Sequence, residues 1–138
     1  MNRIPDLNIE TERLLIVTVS NGDNGDKYNL AIEKSNVSFN LKDYLENPSK
    51  YKIIGYINID RNNFIEYAVY KVYRQQGYAK EMLNAVKEYL CKLDIYPKLY
   101  IDELNTASKT VAEKCGFQYT GKYNMQNYLD LGEWRIKK

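Results

Sequence analysis

The feature that most constrains this chain is a change of hydrophobic period across one short polar turn. Phe64 to Val72 (FIEYAVYKV) is a β-rich run of strand length. From Ala79 the apolar residues change spacing. Ala79, Met82, Leu83, Val86, Leu90 and Leu93 recur every three or four positions, as on a helix buried along one stripe. That helix is expected from about Gly77 to Leu93, ending before Pro97, with Glu81, Lys87, Glu88 and Lys92 on its wet side. Strand, turn and helix in direct succession commit the chain to a mixed architecture.

The flanking segments extend it. Arg13 to Val19 reads as a strand, stopped by the turn formers from Ser20 to Asp26. Tyr28 to Asn47 fits neither period over a long window and is read as one short helix plus a short strand. Tyr51 to Asp60 alternates as a strand, and the polar Arg61-Asn62-Asn63 joins it to Phe64–Val72 as an antiparallel hairpin, since so short a link cannot host a crossover. Lys98 to Asp102 is a further strand. Thr106 to Cys115 reads as a helix with Ala107, Val111, Ala112 and Cys115 inward and Gly116 as a left-handed stop. Phe117–Tyr123 and Tyr128–Ile136 read as closing strands. The expectation is an α/β (α+β) fold with a mixed, mostly antiparallel sheet and flanking helices.

Composition narrows the chemistry. The chain has 138 residues, the size of a single domain over 1–138, and a net charge of +2, too small to argue for nucleic acid or an anionic membrane. No apolar run approaches a membrane span. Cys91 and Cys115 form no CxxC pair, and Met1 to Glu10 is no signal peptide, so a reducing cytoplasm is expected. There is no histidine, which excludes Ser-His and Cys-His nucleophile pairs and imidazole zinc sites, and no metal is expected. Proton transfer is left to carboxylate, tyrosine, lysine, thiol, backbone or water, and there are 14 tyrosines.

The turn itself suits an anion. The first N–H groups of a helix lack internal partners and carry about half a positive charge. Gly77 lets the backbone approach a bulky group, and Ala79 keeps the next turn small. From Tyr67 to Lys80 there is no acid, while Lys71, Arg74 and Lys80 add positive charge. The result is a cradle for phosphate. The plain alternative is an ordinary turn before an amphipathic helix with solvated cations.

A second signal follows. Asn105-Thr106-Ala107-Ser108 opens the second helix, which leads to Glu113-Lys114-Cys115-Gly116-Phe117. With the turn at Arg74–Lys80 before it, this succession resembles the GNAT superfamily of acyl-CoA N-acyltransferases. The start Ile9-Glu10-Thr11-Glu12-Arg13-Leu14 resembles the branch that acetylates ribosomal-protein N-termini and aminoglycosides. The resemblance implies acetyl-CoA as cosubstrate and splayed strands around it. It also implies that Tyr67, Ala68 and Val69 hold the pantetheine arm through backbone, with the Val69 amide polarising the thioester carbonyl. Gln75, Gln76, Gly77, Tyr78, Ala79 and Lys80 would wrap the pyrophosphate, Arg74 mattering more for backbone position than for its charge. Asn105 would bond the pantetheine chain, compatibly with an ordinary N-cap role, and Ser108 the adenosine-diphosphate end.

Two departures stand out. Many family members carry a tyrosine seven residues after the asparagine as acid for the leaving thiolate; here that position is Ala112. The segment between the first two strands, which helps build the acceptor pocket in that branch, is short here. The implied reaction is direct acetyl transfer to a primary amine, a peptide N-terminus or a small amine, by a monomer or homodimer. Glu66 is the first candidate base, directly or through water. Tyr67, Tyr100 and Tyr123 remain open as thiolate acid. Cys115 lies on an apolar stripe, where a thiol behaves as a small hydrophobe rather than a nucleophile. The alternative function is a non-catalytic acetyl-CoA-binding or sensing module.

Overall fold

A computed structural model of the chain describes residues 4–20, 27–35, 38–123 and 130–136, without the side chains of Lys122 and Tyr123. Most of the turn expected at Ser20–Asp26, and the first two residues of the expected strand Tyr128–Ile136, lie outside the described residues.

The chain opens with β1 (Asn8–Glu10), β2 (Leu14–Ser20) and β3 (Lys27–Glu33). A short helix α1 (Leu41–Glu46) follows, then β4 (Ile53–Ile59) and β5 (Ile65–Val69). These five strands form one antiparallel sheet in sequence order. The long helix α2 (Tyr78–Lys92) leads to β6 (Lys98–Asp102), α3 (Thr106–Lys114), β7 (Phe117–Tyr123) and β8 (Leu131–Ile136). The last three strands form a second antiparallel sheet in the order β6-β8-β7. The architecture is the expected mixed one, with its strands divided between two sheets.

Side-chain alternation gives the larger sheet two covered faces. Leu14 and Ile16 of β2 point to the face that carries α2 and α3, where they join Ile54, Ile57, Met82, Leu83, Val86, Leu90, Leu99 and Trp134 in the main core. Each fully buried Leu, Ile or Met there contributes about 1.5–3 kcal/mol. Val17, Val19, Leu30 and Ile32 point the other way and pack beneath Phe39, Leu41, Tyr44 and Tyr51 around α1. This explains why Tyr28–Asn47 shows no clean period. β3 is covered on both faces, and α1 is too short to display a stripe.

Several expected boundaries move. β1 was not anticipated; it is an edge strand, paired from Asn8 to Val17 of β2. β5 ends at Val69 rather than Val72, because the chain leaves the sheet after Tyr70 through a 3-10 turn at Lys71–Tyr73. Ala107 is exposed rather than inward, being in the first turn of α3, while Ala112 and Cys115 are buried as expected. Gly116 adopts φ 87°, the left-handed stop.

Candidate active site

β5 and β6 are parallel neighbours that touch only at one end. Phe64 and Lys98 form a single parallel bridge, and the Lys98 N–H donates to the Asn63 carbonyl at 2.9 Å. The Phe64 ring stacks on Tyr100 with centroids 3.7 Å apart, closing that end of the split. Beyond it the strands part, each feeding the start of a helix. A cavity of about 450 Å³ occupies the opening. Its polar lining includes Asn58, Asp60, Glu66, Tyr67, Asn105 and Ser108.

The register of β5 decides which of its backbone groups face this opening. Tyr70 N–H bonds Ile54 C=O and Asp60 N–H bonds Phe64 C=O, so the even residues exchange hydrogen bonds with β4. Tyr67 and Val69 therefore direct their N–H and C=O groups into the split. Ala68, paired with Tyr56, directs its own toward β4, so its backbone faces away from the split. Arg74 folds back to donate from Nε to the Val69 carbonyl at 2.9 Å, which leaves the Val69 N–H as the group available there.

At the mouth stands the start of α2. Gln75 takes φ 64° and Gly77 φ 83°, both left-handed, which turns the chain sharply into the helix. Asn40 and Asn105 cap α1 and α3 through their side chains, but Gly77 gives α2 no such bond. The first N–H groups of α2 are thus left for another partner. Gln75, Gln76, Gly77 and Lys80 are exposed, Ala79 is half-buried, and Tyr78 is turned into the core, so Tyr78 can contribute only backbone at the mouth.

A brace behind the turn escaped the sequence reading. Glu81, expected on the wet side, is only 16% exposed in its side chain. Its carboxylate accepts from Thr11 Oγ1, from the Arg13 N–H at 2.8 Å and from Arg13 Nε at 2.7 Å. Arg13 also donates to the Gln76 carbonyl at 2.9 Å, and its guanidinium lies 4.1 Å over the Tyr78 ring. Burial pushes the Glu81 carboxyl up, but these donors outweigh it and hold it below its ordinary value. The signal was present as Thr11-Glu12-Arg13 at the head of a strand, but pairing over so long a sequence separation is a tertiary fact.

The remaining sequence-derived residues fall as follows. Glu66 is exposed on β5, opposite Asn58 of β4, and accepts from the Tyr56 hydroxyl at 3.4 Å. Asn105 accepts the Ser108 N–H through Oδ1 at 3.1 Å, the N-cap role. Ser108 and Tyr67 both line the split, while residues 74–80, which lead from β5 into α2, do not line the cavity. The Tyr67 hydroxyl is sealed from solvent, with Ser108 and Cys115 of the α3 segment acting on it. Cys115 is buried, with its thiol pushed up by burial and its Sγ 3.6 Å from the Lys80 carbonyl, the setting of a structural cysteine. Tyr123's side chain lies outside the described residues. Asn58, Asp60 and Asp102 line the cavity without having been singled out; counting the hairpin register across Arg61–Asn63 would have found Asn58 opposite Glu66. Among the described residues no helix is long and apolar enough to cross a membrane.

Comparison with known proteins agrees with this geometry. The family model of the acetyltransferase (GNAT) domain matches residues 6–118. No curated protein sequence matches the chain significantly. Among solved structures, an acetyltransferase from Agrobacterium tumefaciens is similar over 100% of this chain and 97% of its own, at 16% identity and TM-score 0.62. RimL, a ribosomal L7/L12 alpha-N-protein acetyltransferase in complex with coenzyme A, is similar over 69% of this chain and 67% of its own, at 18% identity and TM-score 0.53. The microcin C7 self-immunity acetyltransferase MccE, in complex with acetyl-CoA and AMP, is similar over 68% of this chain at 18% identity and TM-score 0.50, and the chain spans 65% of its length. At these identities the likeness is one of fold. The family model's match over residues 6–118 places the chain in the GNAT acetyltransferase family.

Proposed function

We propose that residues 1–138 act as one domain that transfers an acetyl group from acetyl-CoA to a primary amine, a peptide N-terminus or a small amine, by direct attack. The observation that carries this reading is the meeting of two unsatisfied backbone edges at one opening: the Tyr67 and Val69 amides along the split, and the uncapped N-terminus of α2 at its mouth. A pantetheine arm needs hydrogen-bonding backbone along its length, and a pyrophosphate needs converging N–H groups with a positive helix end. Residues 75–80 hold the pyrophosphate, Tyr67 and Val69 the arm, and Asn105 the pantetheine chain through the amide nitrogen that its cap bond leaves over.

The thioester carbonyl then lies against the Val69 N–H. A donor placed for the developing oxyanion contributes about 3–4 kcal/mol, and positioning of the two reactants roughly 7–11 kcal/mol. The acceptor arrives as an ammonium with pKa near 10.4 and must lose a proton before it attacks. Glu66 is the base, directly or through water, on the face shared with Asn58 and Tyr56. The cavity beside Glu66 is lined mainly by residues of the strands β4, β5 and β6. RimL's action on an N-terminus supports including N-terminal peptides among the acceptors to be tried.

The experiment is an acceptor screen with acetyl-CoA over N-terminal peptides, polyamines and amino sugars, read as release of free CoA. Release with at least one amine is expected. Acetyl-CoA binding with no release across the panel would replace the enzyme by a binding module.

A further inference from the structure

We propose that Arg13 is a positioning residue for acetyl-CoA: it holds the peptide between Gln76 and Gly77 in the orientation that presents the Gly77 N–H to the pyrophosphate. This rests on the acetyl-transfer reading above and deepens it, by naming the group that sets the anion cradle from behind.

The turn before α2 is loose by composition. Flipping a planar peptide unit changes mainly ψ of the residue before it and φ of the residue after it. Here the residue after it is Gly77, and glycine takes φ of either sign. Two orientations of this peptide are therefore open while its neighbours stay in place. One presents the Gly77 N–H. The other presents the Gln76 carbonyl, a partial negative charge, in the same place. Only the first receives an anion.

One side chain decides between them. Arg13 donates from Nη1 to the Gln76 carbonyl at 2.9 Å. There is no cis peptide bond among the described residues, so the Gly77 N–H points opposite to that carbonyl and away from Arg13. No backbone carbonyl among the described residues accepts it. It adjoins the N–H groups of Tyr78, Ala79 and Lys80, which open α2 without a side-chain cap. In the flipped orientation the charge-assisted bond to Arg13 would be lost, and such bonds are about twice as strong as neutral ones.

Docking the turn between β1 and β2 onto α2 does not itself require the guanidinium. Thr11 Oγ1 and the Arg13 N–H already donate to the Glu81 carboxylate. The side chain adds a separate link. Its Nε bonds Glu81 Oε1 at 2.7 Å while Nη1 reaches the Gln76 carbonyl, and its plane lies 4.1 Å over the Tyr78 ring. A rigid fork can tie a carboxylate on the helix to a carbonyl in the turn, which a lysine ammonium on a flexible stem does poorly. Arg74, the arginine inside the turn, is committed to the Val69 carbonyl instead.

The test uses the whole isotope-labelled protein with acetyl-CoA, read by calorimetry and by amide NMR. Absence of acetyl-CoA binding by the unaltered protein overturns the acetyl-transfer reading and this proposal together. Once binding is shown, the Gly77 amide proton should move downfield, as in a hydrogen bond to a charged acceptor, and the Val69 amide should move with it. Arg13→Lys keeps the charge beside Glu81 but loses the fork. Its acetyl-CoA affinity should fall about tenfold or more. At saturating acetyl-CoA its Val69 amide should shift as in the unaltered protein, while the Gly77 shift is lost. A purely structural role would not separate the two amides. An unchanged affinity, a Gly77 shift kept in the variant, or loss of both shifts together overturns the role of Arg13 and leaves the acetyl-transfer reading standing. Should Arg13→Lys not fold, the unaltered protein decides alone: a Gly77 amide that acetyl-CoA leaves in place while the Val69 amide moves overturns the proposal.

Discussion

At the scale of single residues, Gly77 and Glu81 carry the most. Gly77 sits at φ 83°, where an added Cβ would lie 3.4 Å from the Arg13 guanidinium. Gly77→Ala should therefore cost about 1–2 kcal/mol of stability, nearly all of it backbone strain. Gly77→Glu carries the same strain and adds a negative charge where pyrophosphate sits. Its acetyl-CoA affinity should fall about 100-fold or more by calorimetry while Gly77→Ala keeps most of its own. Equal affinities in the two variants would remove the turn from the binding site. Glu81 makes a prediction about pH. Its folded pKa lies below its unfolded value, so the brace is complete above about pH 4.5 and is lost as pH falls through the folded pKa. Acid unfolding should show this loss, and Glu81→Gln should flatten that limb while lowering neutral-pH stability by about 2 kcal/mol. Gly77 was legible in the sequence because a glycine between a strand and an amphipathic helix has few other uses. Glu81 was not, because an acid in the first turn of a helix looks solvated until its partners, in the turn between β1 and β2, are known.

At the scale of elements, the hairpin β4–β5 sets the split. Gly55 is buried opposite Val69, and a Cβ there would run into the Ala68 carbonyl, with Val69 Cα only 3.0 Å away. Gly55→Ala should push β5 from its line and cost about 1–3 kcal/mol, as overpacking does. Because β5 presents the Tyr67 and Val69 amides, acetyl-CoA affinity should fall with stability. A variant that loses stability in urea titration but binds at full strength would disconnect the hairpin from the site. The helices were readable from their stripes: Met82, Leu83, Val86 and Leu90 are all buried along α2. β6 and β7 match their expected spans residue for residue. β1 and β3 were hidden for different reasons. β1 is a three-residue edge, too short to show alternation. β3 is buried on both faces, which erases it.

At the scale of the molecule, two sheets touch at Phe64 and Lys98 and part beyond them. A ligand that fills the split bridges both sheets and the starts of α2 and α3. Acetyl-CoA at a hundred times its Kd should therefore add about 2.7 kcal/mol to stability, seen as a Tm rise of several degrees. Gly77→Glu should show almost none of that rise at the same concentration. The sequence by itself determined the order of the main strands and helices, the turn at Arg74–Lys80 and the absence of imidazole chemistry. Each of these is local, written in the spacing of apolar residues, in one glycine or in a residue type that is missing. Tertiary structure alone decided that β5 and β6 diverge, that the odd residues of β5 face the gap, and that Arg13 and Glu81 brace the turn. Those outcomes depend on pairing register and on contacts between distant segments, and no spacing along the chain records them. The tyrosines show the division most plainly, since sequence could count fourteen of them while only packing sets the Tyr67 hydroxyl beside Ser108 and Cys115.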